Sequence, residues 1–258
     1  PARAAVLAVV RQALADARKS AEADLMATGH GTRCAQNLSA AEDEIIRAVF
    51  SAVCRVDARQ LERIPGQGPA IVVANHINFL ESPVMVSWLD NPAVTGIAKR
   101  ESWKNPLFYF LFNLWEIIPI DRGLVDREAF NRAQEALQNG KLLAVAPEGT
   151  RSKTGQLLKA KPGVAVIAAR SGAPIIPVAL WGHEGFWSNL KRLRRTPVNI
   201  EVGQPFRLTA EGAGLSRDVR EAVADEIMYK VAELLPERYR GEYAFEEPVE
   251  YKYLVPVE

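Results

Sequence analysis

Cysteine is scarce in this chain of 258 residues: Cys34 and Cys54 are the only two, and their spacing fits neither a metal site nor a redox pair. They read as free thiols in a reducing compartment. Histidine is scarce as well, with three scattered copies, so no metal-ligand cluster can be drawn and no metal is implied. Net charge is almost absent at +1, which removes the global field that draws nucleic acid. No uncharged apolar run reaches eighteen residues, so an ordinary membrane-spanning helix is not expected. The opening segment PARAAVLAVVRQALADARK carries too many charges for a secretory signal. A Gly-x-Ser-x-Gly turn is missing around Ser82, which excludes the serine-hydrolase elbow there and leaves that serine a helix-cap role.

What is present is globular. Hydrophobic residues make up 48% and charged residues 24%, enough to bury one large core. Residues 1–60 carry Ala, Leu, Glu and Arg at helical spacing, broken near TGHGTR (28–33), and Ser39 with Glu42 forms a capping box for a second helix. After the turn IPGQGP (64–69), β-branched runs alternate with helical patterns. Strands are expected at 70–75, 93–99, 116–121, 142–147, 174–180 and 198–203. Helices are expected at 82–90, 101–114, 126–139, 162–171 and 216–235. This alternation predicts an α/β fold with a mixed, largely parallel sheet flanked by helices. The domain division is an N-terminal helical segment at 1–63, an α/β domain at 64–235 and a C-terminal arm at 236–258. The arm is rich in aromatics, which predicts that it docks rather than stays free.

Four motifs fall at strand ends, where open α/β sheets place their ligand sites. The first, NHINFLE (75–81), sets His76 five residues before Glu81. A free imidazole titrates near 6.5 and accepts a proton at neutral pH, and a carboxylate on its far nitrogen would fix the tautomer. Taken alone, the pair does not separate a catalytic base from a histidine that ends a strand. The second, PIDRG (119–123), offers Arg122 as a bidentate phosphate ligand, or an Asp121–Arg122 turn. In the third, PEGTRS (147–152), Gly149 lets backbone approach a ligand that Thr150 and Arg151 could surround. The fourth, PIIPVAL (174–180), carries Pro177 inside a strand, which predicts an edge or a bulge.

In their order, these four blocks resemble the glycerolipid acyltransferases, the 1-acyl-sn-glycerol-3-phosphate (lysophosphatidic acid) acyltransferases with a His-x4-Asp motif. The resemblance covers about residues 65–205. It implies the glycerol-3-phosphate acyltransferase-like fold and an enzyme that moves a fatty acyl group from a thioester to a lysophospholipid hydroxyl. The donor is acyl-CoA or acyl carrier protein, used as substrate, with no cofactor. His76 is then the general base and Glu81 its partner. Lys99, Arg122, Glu148, Gly149, Thr150 and Arg151 match positions that bind the acceptor's phosphate. The sequence departs from the pattern at Glu81, where the family carries Asp. The extra methylene requires a shifted rotamer or helix start, and it leaves open another lipid acceptor or a silent lipid-binding protein.

A lipid substrate calls for a membrane contact, on the cytoplasmic face and peripheral or monotopic. The stretch 102–120 holds six of the twenty aromatics, and 105–115 is free of charge. It is too short to span but suits an interfacial helix, with Trp103, Phe108, Phe110, Phe112 and Trp115 as the contact residues. The stretch 185–195, GFWSNLKRLRR, places aromatics beside four basic residues, a pattern an anionic surface attracts.

Overall fold

The computed structural model describes residues 12, 16, 19, 44–89, 93–121, 126–214 and 216–257, the side chains of Leu107 and Phe110 excepted. The break at 28–33, the Ser39–Glu42 box, Cys34 and Arg122 lie outside the described residues.

The described strands are β1 (Cys54–Asp57), β2 (Ala70–Ala74), β3 (Val94–Lys99), β4 (Ile118–Ile120), β5 (Leu142–Val145), β6 (Ile175–Trp181), β7 (Thr196–Val202), β8 (Phe206–Leu208) and β9 (Leu254–Pro256). They form one sheet ordered β1-β7-β6-β2-β5-β3-β4, with β8 beside β6 and β9 beside β8. Strands β2 and β5, β2 and β6, β3 and β5, and β3 and β4 pair in parallel. Strand β7 runs antiparallel to β6 and parallel to β1, while β8 and β9 add antiparallel pairs. After a helical stretch at 44–53, the helices are α1 (Glu81–Trp88), α2 (Pro106–Leu114), α3 (Arg127–Gln138), α4 (Gly163–Ser171), α5 (Phe186–Lys191) and α6 (Arg217–Leu234).

The central strands are short and almost wholly apolar because both sheet faces are covered. Alternate side chains go to opposite layers. Ile71, Val73 and Ile175 join α3, α4 and α6 on one face. Ala70, Val72, Ile176, Val178 and Leu180 join α1 and Phe186 of α5 on the other. Asp126 starts α3 by accepting from Ala129 N at 3.0 Å, and α4 ends on Gly172 at φ 62°.

Four expectations need correction. The helical segment assigned to 1–63 contains strand β1, whose four residues are too short for a visible alternation, together with a 3-10 turn at Arg59–Arg63. Helix α5 and strands β8 and β9 were not expected, each being six residues or fewer. Of the two alternatives at Pro177 the edge fails and the irregularity stands: β6 is internal, bonded to β2 on one side and to β7 and β8 on the other, and the pairs Val178–Val202 and Ile175–Phe206 leave one extra residue on the partner side opposite Pro177. Its C=O accepts from Gly203 N at 2.9 Å, so its missing N–H faces the gap where β7 hands over to β8, and no ladder donor is lost. Ser82 is the second residue of α1 rather than its cap, because the cap position is Leu80.

The arm docks, as its aromatics suggested. Tyr243 is buried, donates to Asp225 Oδ1 on α6 at 2.8 Å, and accepts from Ala160 N at 2.9 Å. Leu157 N donates to Tyr239 O at 2.9 Å, so the arm also clasps the chain just after PEGTRS.

Candidate active site

Because β2, β3, β4, β5 and β6 are parallel, their C-terminal ends share one edge; NHINFLE leaves β2, PIDRG ends β4, PEGTRS leaves β5, and PIIPVAL is β6 itself. Asn75 extends the ladder beyond β2: its side chain donates to Leu180 O and accepts from Leu180 N, both at 2.8 Å. The chain can then turn at His76. Asn78 holds the turn, accepting from Leu80 N at 2.8 Å and donating to His183 O at 2.8 Å.

Glu81 opens α1 and folds back on the turn. Its Oε1 accepts from Ile77 N at 2.8 Å, from Asn78 N at 2.7 Å, and lies 2.7 Å from His183 Nε2. Its Oε2 lies 3.3 Å from His76 Nδ1 and has no other partner among the described residues. The extra methylene is therefore absorbed by anchoring the carboxylate on the amides three and four residues upstream. Burial pushes the Glu81 carboxyl up, yet hydrogen bonds from His183 and His76 outweigh it and hold the group well below the usual carboxylate range. The His76 side chain keeps 26% of its surface, so the ring reaches solvent while its partner is sealed.

PEGTRS lies against the same turn. His76 N donates to Glu148 Oε1 at 2.8 Å, Leu158 N donates to Glu148 Oε2 at 2.9 Å, and Ser152 N donates to His76 O at 2.7 Å. Glu148 is 1% exposed. Both its oxygens are taken by backbone amides, so it fixes the two loops to each other and does not face a phosphate. This corrects its reading as a phosphate ligand. Burial pushes its carboxyl up to about 7, against the pull of the His76 and Leu158 amides.

Gly149 turns the loop at φ 65°, a conformation that suits glycine. Thr150 and Arg151 are exposed beyond it. A Cβ on Gly149 would sit 3.4 Å from Lys161 Cγ, which brings a further cation to this loop. Lys99 ends β3, half-buried and in register with Ile120 of β4. Asp121 pairs with Arg100 at 2.9 Å.

Of the expected membrane residues, Phe112 and Trp115 are core. They pack with Ile46 of the helical stretch 44–53 and with Leu111 and Ile117. Trp103 and Phe108 are half-buried against them. Exposed apolar surface lies instead on Tyr109 at 57%, Trp187 at 40% and Leu193 at 95%. Phe79, in the turn between His76 and Glu81, has its ring centroid 6.4 Å from that of Phe108 and stacks on Trp187 at 5.5 Å, which joins the two aromatic stretches. His183 and Lys161 were missed in the sequence. The signal for Lys161 was the basic run KAK just after PEGTRS, whereas nothing local marks His183.

A mostly parallel sheet with a histidine–carboxylate pair on its C-terminal edge defines an α/β protein equipped for proton transfer. Residues 55–181 belong to the family whose model is described as Acyltransferase. The 1-acyl-sn-glycerol-3-phosphate acyltransferase of Cocos nucifera is 34% identical over 54% of this chain and 46% of its own length. The alpha isoform of Mus musculus is 29% identical over 75% of this chain and 68% of its own. The chain spans about half the length of several such relatives. The crystal structure of the 1-acyl-sn-glycerophosphate acyltransferase PlsC from Thermotoga maritima aligns with a TM-score of 0.63 at 24% identity, over 84% of this chain and 87% of that one, which shows the shared fold.

Proposed function

We propose that this chain transfers a fatty acyl group from an acyl thioester, acyl-CoA or acyl carrier protein, to the free hydroxyl of a lysophospholipid such as lysophosphatidic acid. The observation that carries the reading is the His76 Nδ1–Glu81 Oε2 contact at 3.3 Å, with the ring partly open to solvent. Nδ1 is committed to the carboxylate, which leaves Nε2 to take the hydroxyl proton. The hydroxyl oxygen attacks the thioester carbonyl while the proton passes to Nε2. The imidazolium is stabilised by Glu81. The tetrahedral adduct then expels the thiolate, and the imidazolium returns its proton to it. No covalent acyl-enzyme forms.

The acceptor's phosphate is held by Arg151, Thr150 and the Gly149 backbone, with Lys99, Lys161 and Arg122 adding positive charge. The relatives' names support that substrate class. No helix among the described residues is long and apolar enough to cross a membrane. A peripheral contact with the cytoplasmic leaflet is supported by exposed Trp187 and Leu193 beside Lys191, Arg192 and Arg194.

A thiol-release assay with acyl-CoA tests the reading. Release that depends on lysophosphatidate supports it. Release only with an unphosphorylated acceptor removes the phosphate role, and binding of lipid without release removes the enzyme.

A further inference from the structure

His183 carries a role that neither the motifs nor the family match assigns, since the matched span ends at residue 181. It follows β6 after Gly182, which turns at φ 91° where a Cβ would meet Asn199 Nδ2 at 2.7 Å. The ring is wholly buried. One nitrogen, Nε2, lies 2.7 Å from Glu81 Oε1. The other, Nδ1, is buried with no partner among the described residues.

A buried N–H without an acceptor is costly, whereas a bare lone pair is less so. The tautomer that fits therefore carries its hydrogen on Nε2 and donates it to Glu81. Glu81 Oε1 then receives three donors, from Ile77, Asn78 and His183, while Oε2 is left to His76 alone. The two oxygens have distinct duties: one is anchored, and the other faces the base. The two backbone donors both come from the turn that carries His76, so they move with it. Among the described residues, His183 is the one donor that ties the carboxylate to a different strand, 102 residues further along the chain. The Asn78 side chain closes the link by donating to His183 O at 2.8 Å.

The geometry points to His183 as a positioning residue for the acyl-transfer step: it fixes the rotamer of Glu81 so that Oε2 meets His76 Nδ1, and it lets glutamate serve at this position. His183 touches no substrate. The inference rests on His76 being the base, and the test separates the two claims.

The decisive pair of variants is His183→Gln and His183→Asn. The Gln amide nitrogen lies near the place of Nε2 and can still donate to Glu81, whereas the Asn amide stops near the place of Nδ1 and falls short. Both are polar and smaller than histidine. With saturating soluble short-chain substrates, His183→Gln should keep kcat within about threefold and His183→Asn should lose about tenfold or more. KM should stay within about twofold in both, the pattern of a displaced base and not of lost substrate contact. Equal kcat in the two variants, or a loss confined to KM, overturns the proposal.

The independent readout is the 15N spectrum of the histidine rings. In the native protein His183 should carry its hydrogen on Nε2, and His76 should carry its hydrogen on Nδ1. His183→Asn should mix the His76 tautomers, and His183→Gln should not. A native His183 with its hydrogen on Nδ1 overturns the proposal even if both variants fail to fold. If His76 proves dispensable for turnover while its tautomer still follows His183, the reading of His76 as base has failed and the coupling between the two rings has not.

Discussion

The backbone N–H of His76 donates to Glu148 Oε1 at 2.8 Å, so the histidine of one motif hangs from the carboxyl of another 72 residues away. Two loops from neighbouring parallel strands become one unit through this carboxyl, the Leu158 N–H and the Ser152–His76 backbone bond. The cost of that arrangement is a buried carboxyl.

Burial raises Glu148 from an ordinary 4.5 to about 7. The folded state then holds this proton more tightly than the unfolded chain does. Stability should fall as pH rises from about 4.5 to about 7 and level off above, by about 3 kcal/mol from this group alone. Glu148→Gln removes the titration. Urea unfolding of both proteins at pH 5 and pH 8 should show the native protein losing ground to the variant at the higher pH, and parallel pH dependences would deny the buried proton.

Glu81 has the opposite sign. Its carboxyl is held below the usual range, so the stability it contributes is present above about 4.5 and is lost only as pH falls through that depressed value. In activity, Glu81→Gln should cost on the order of 10² to 10³ in kcat. The amide would donate to His76 Nδ1 and force the hydrogen onto the nitrogen that must accept. Glu81→Asp should lose less than Gln but should not match the native residue, because the shorter chain cannot hold the Ile77 and Asn78 amides and still meet both histidines. Full activity in the Asp variant would show that the anchoring is incidental.

The aromatics divide into core and surface. Phe112→Ser should destabilise by about 3–5 kcal/mol, since Phe112 is buried with Trp103, Phe108 and Ile46. Leu193 is 95% exposed at φ 53°, a conformation glycine accepts easily, so Leu193→Gly should leave stability unchanged or slightly improved. If Leu193 enters the lipid interface, the same change should weaken binding to vesicles containing anionic lipid by roughly tenfold, the worth of one buried leucine. Unchanged sedimentation with such vesicles would remove this loop from the membrane contact.

Arg151→Ala should raise the acceptor's KM with little change in kcat, because a charged contact to phosphate is present in ground and transition states alike. Kinetics with phosphorylated and unphosphorylated acceptors check this. An equal effect on both would show that Arg151 does not meet phosphate.

Much of this was legible in the sequence because the signals were local. The runs AIVVA and LLAV are short and wholly apolar, as covered strands are, and NHINFLE and PEGTRS follow them within a few residues. Short elements escaped: CRVD and FRL hold too few residues to show a period. Pro177 misled as to an edge because its missing N–H points at a seam between two partner strands, which only the sheet order reveals. Phe112 and Trp115 looked interfacial because the helical stretch that covers them lies some sixty residues earlier. Glu148 read as a ligand because its motif sits at a strand end, whereas its bonds run inward. His183 meets Glu81 only through the parallel pairing of β2 with β6, so no window of sequence contains both.

The central claim is that His76 takes the acceptor's proton. The most direct test is thiol release from acyl-CoA by His76→Ala, with lysophosphatidate as acceptor and with folding confirmed by circular dichroism. With His76 as the base, the variant should fold, still bind lipid and turn over at least about a hundredfold more slowly. A folded variant that keeps most of the native turnover would contradict it.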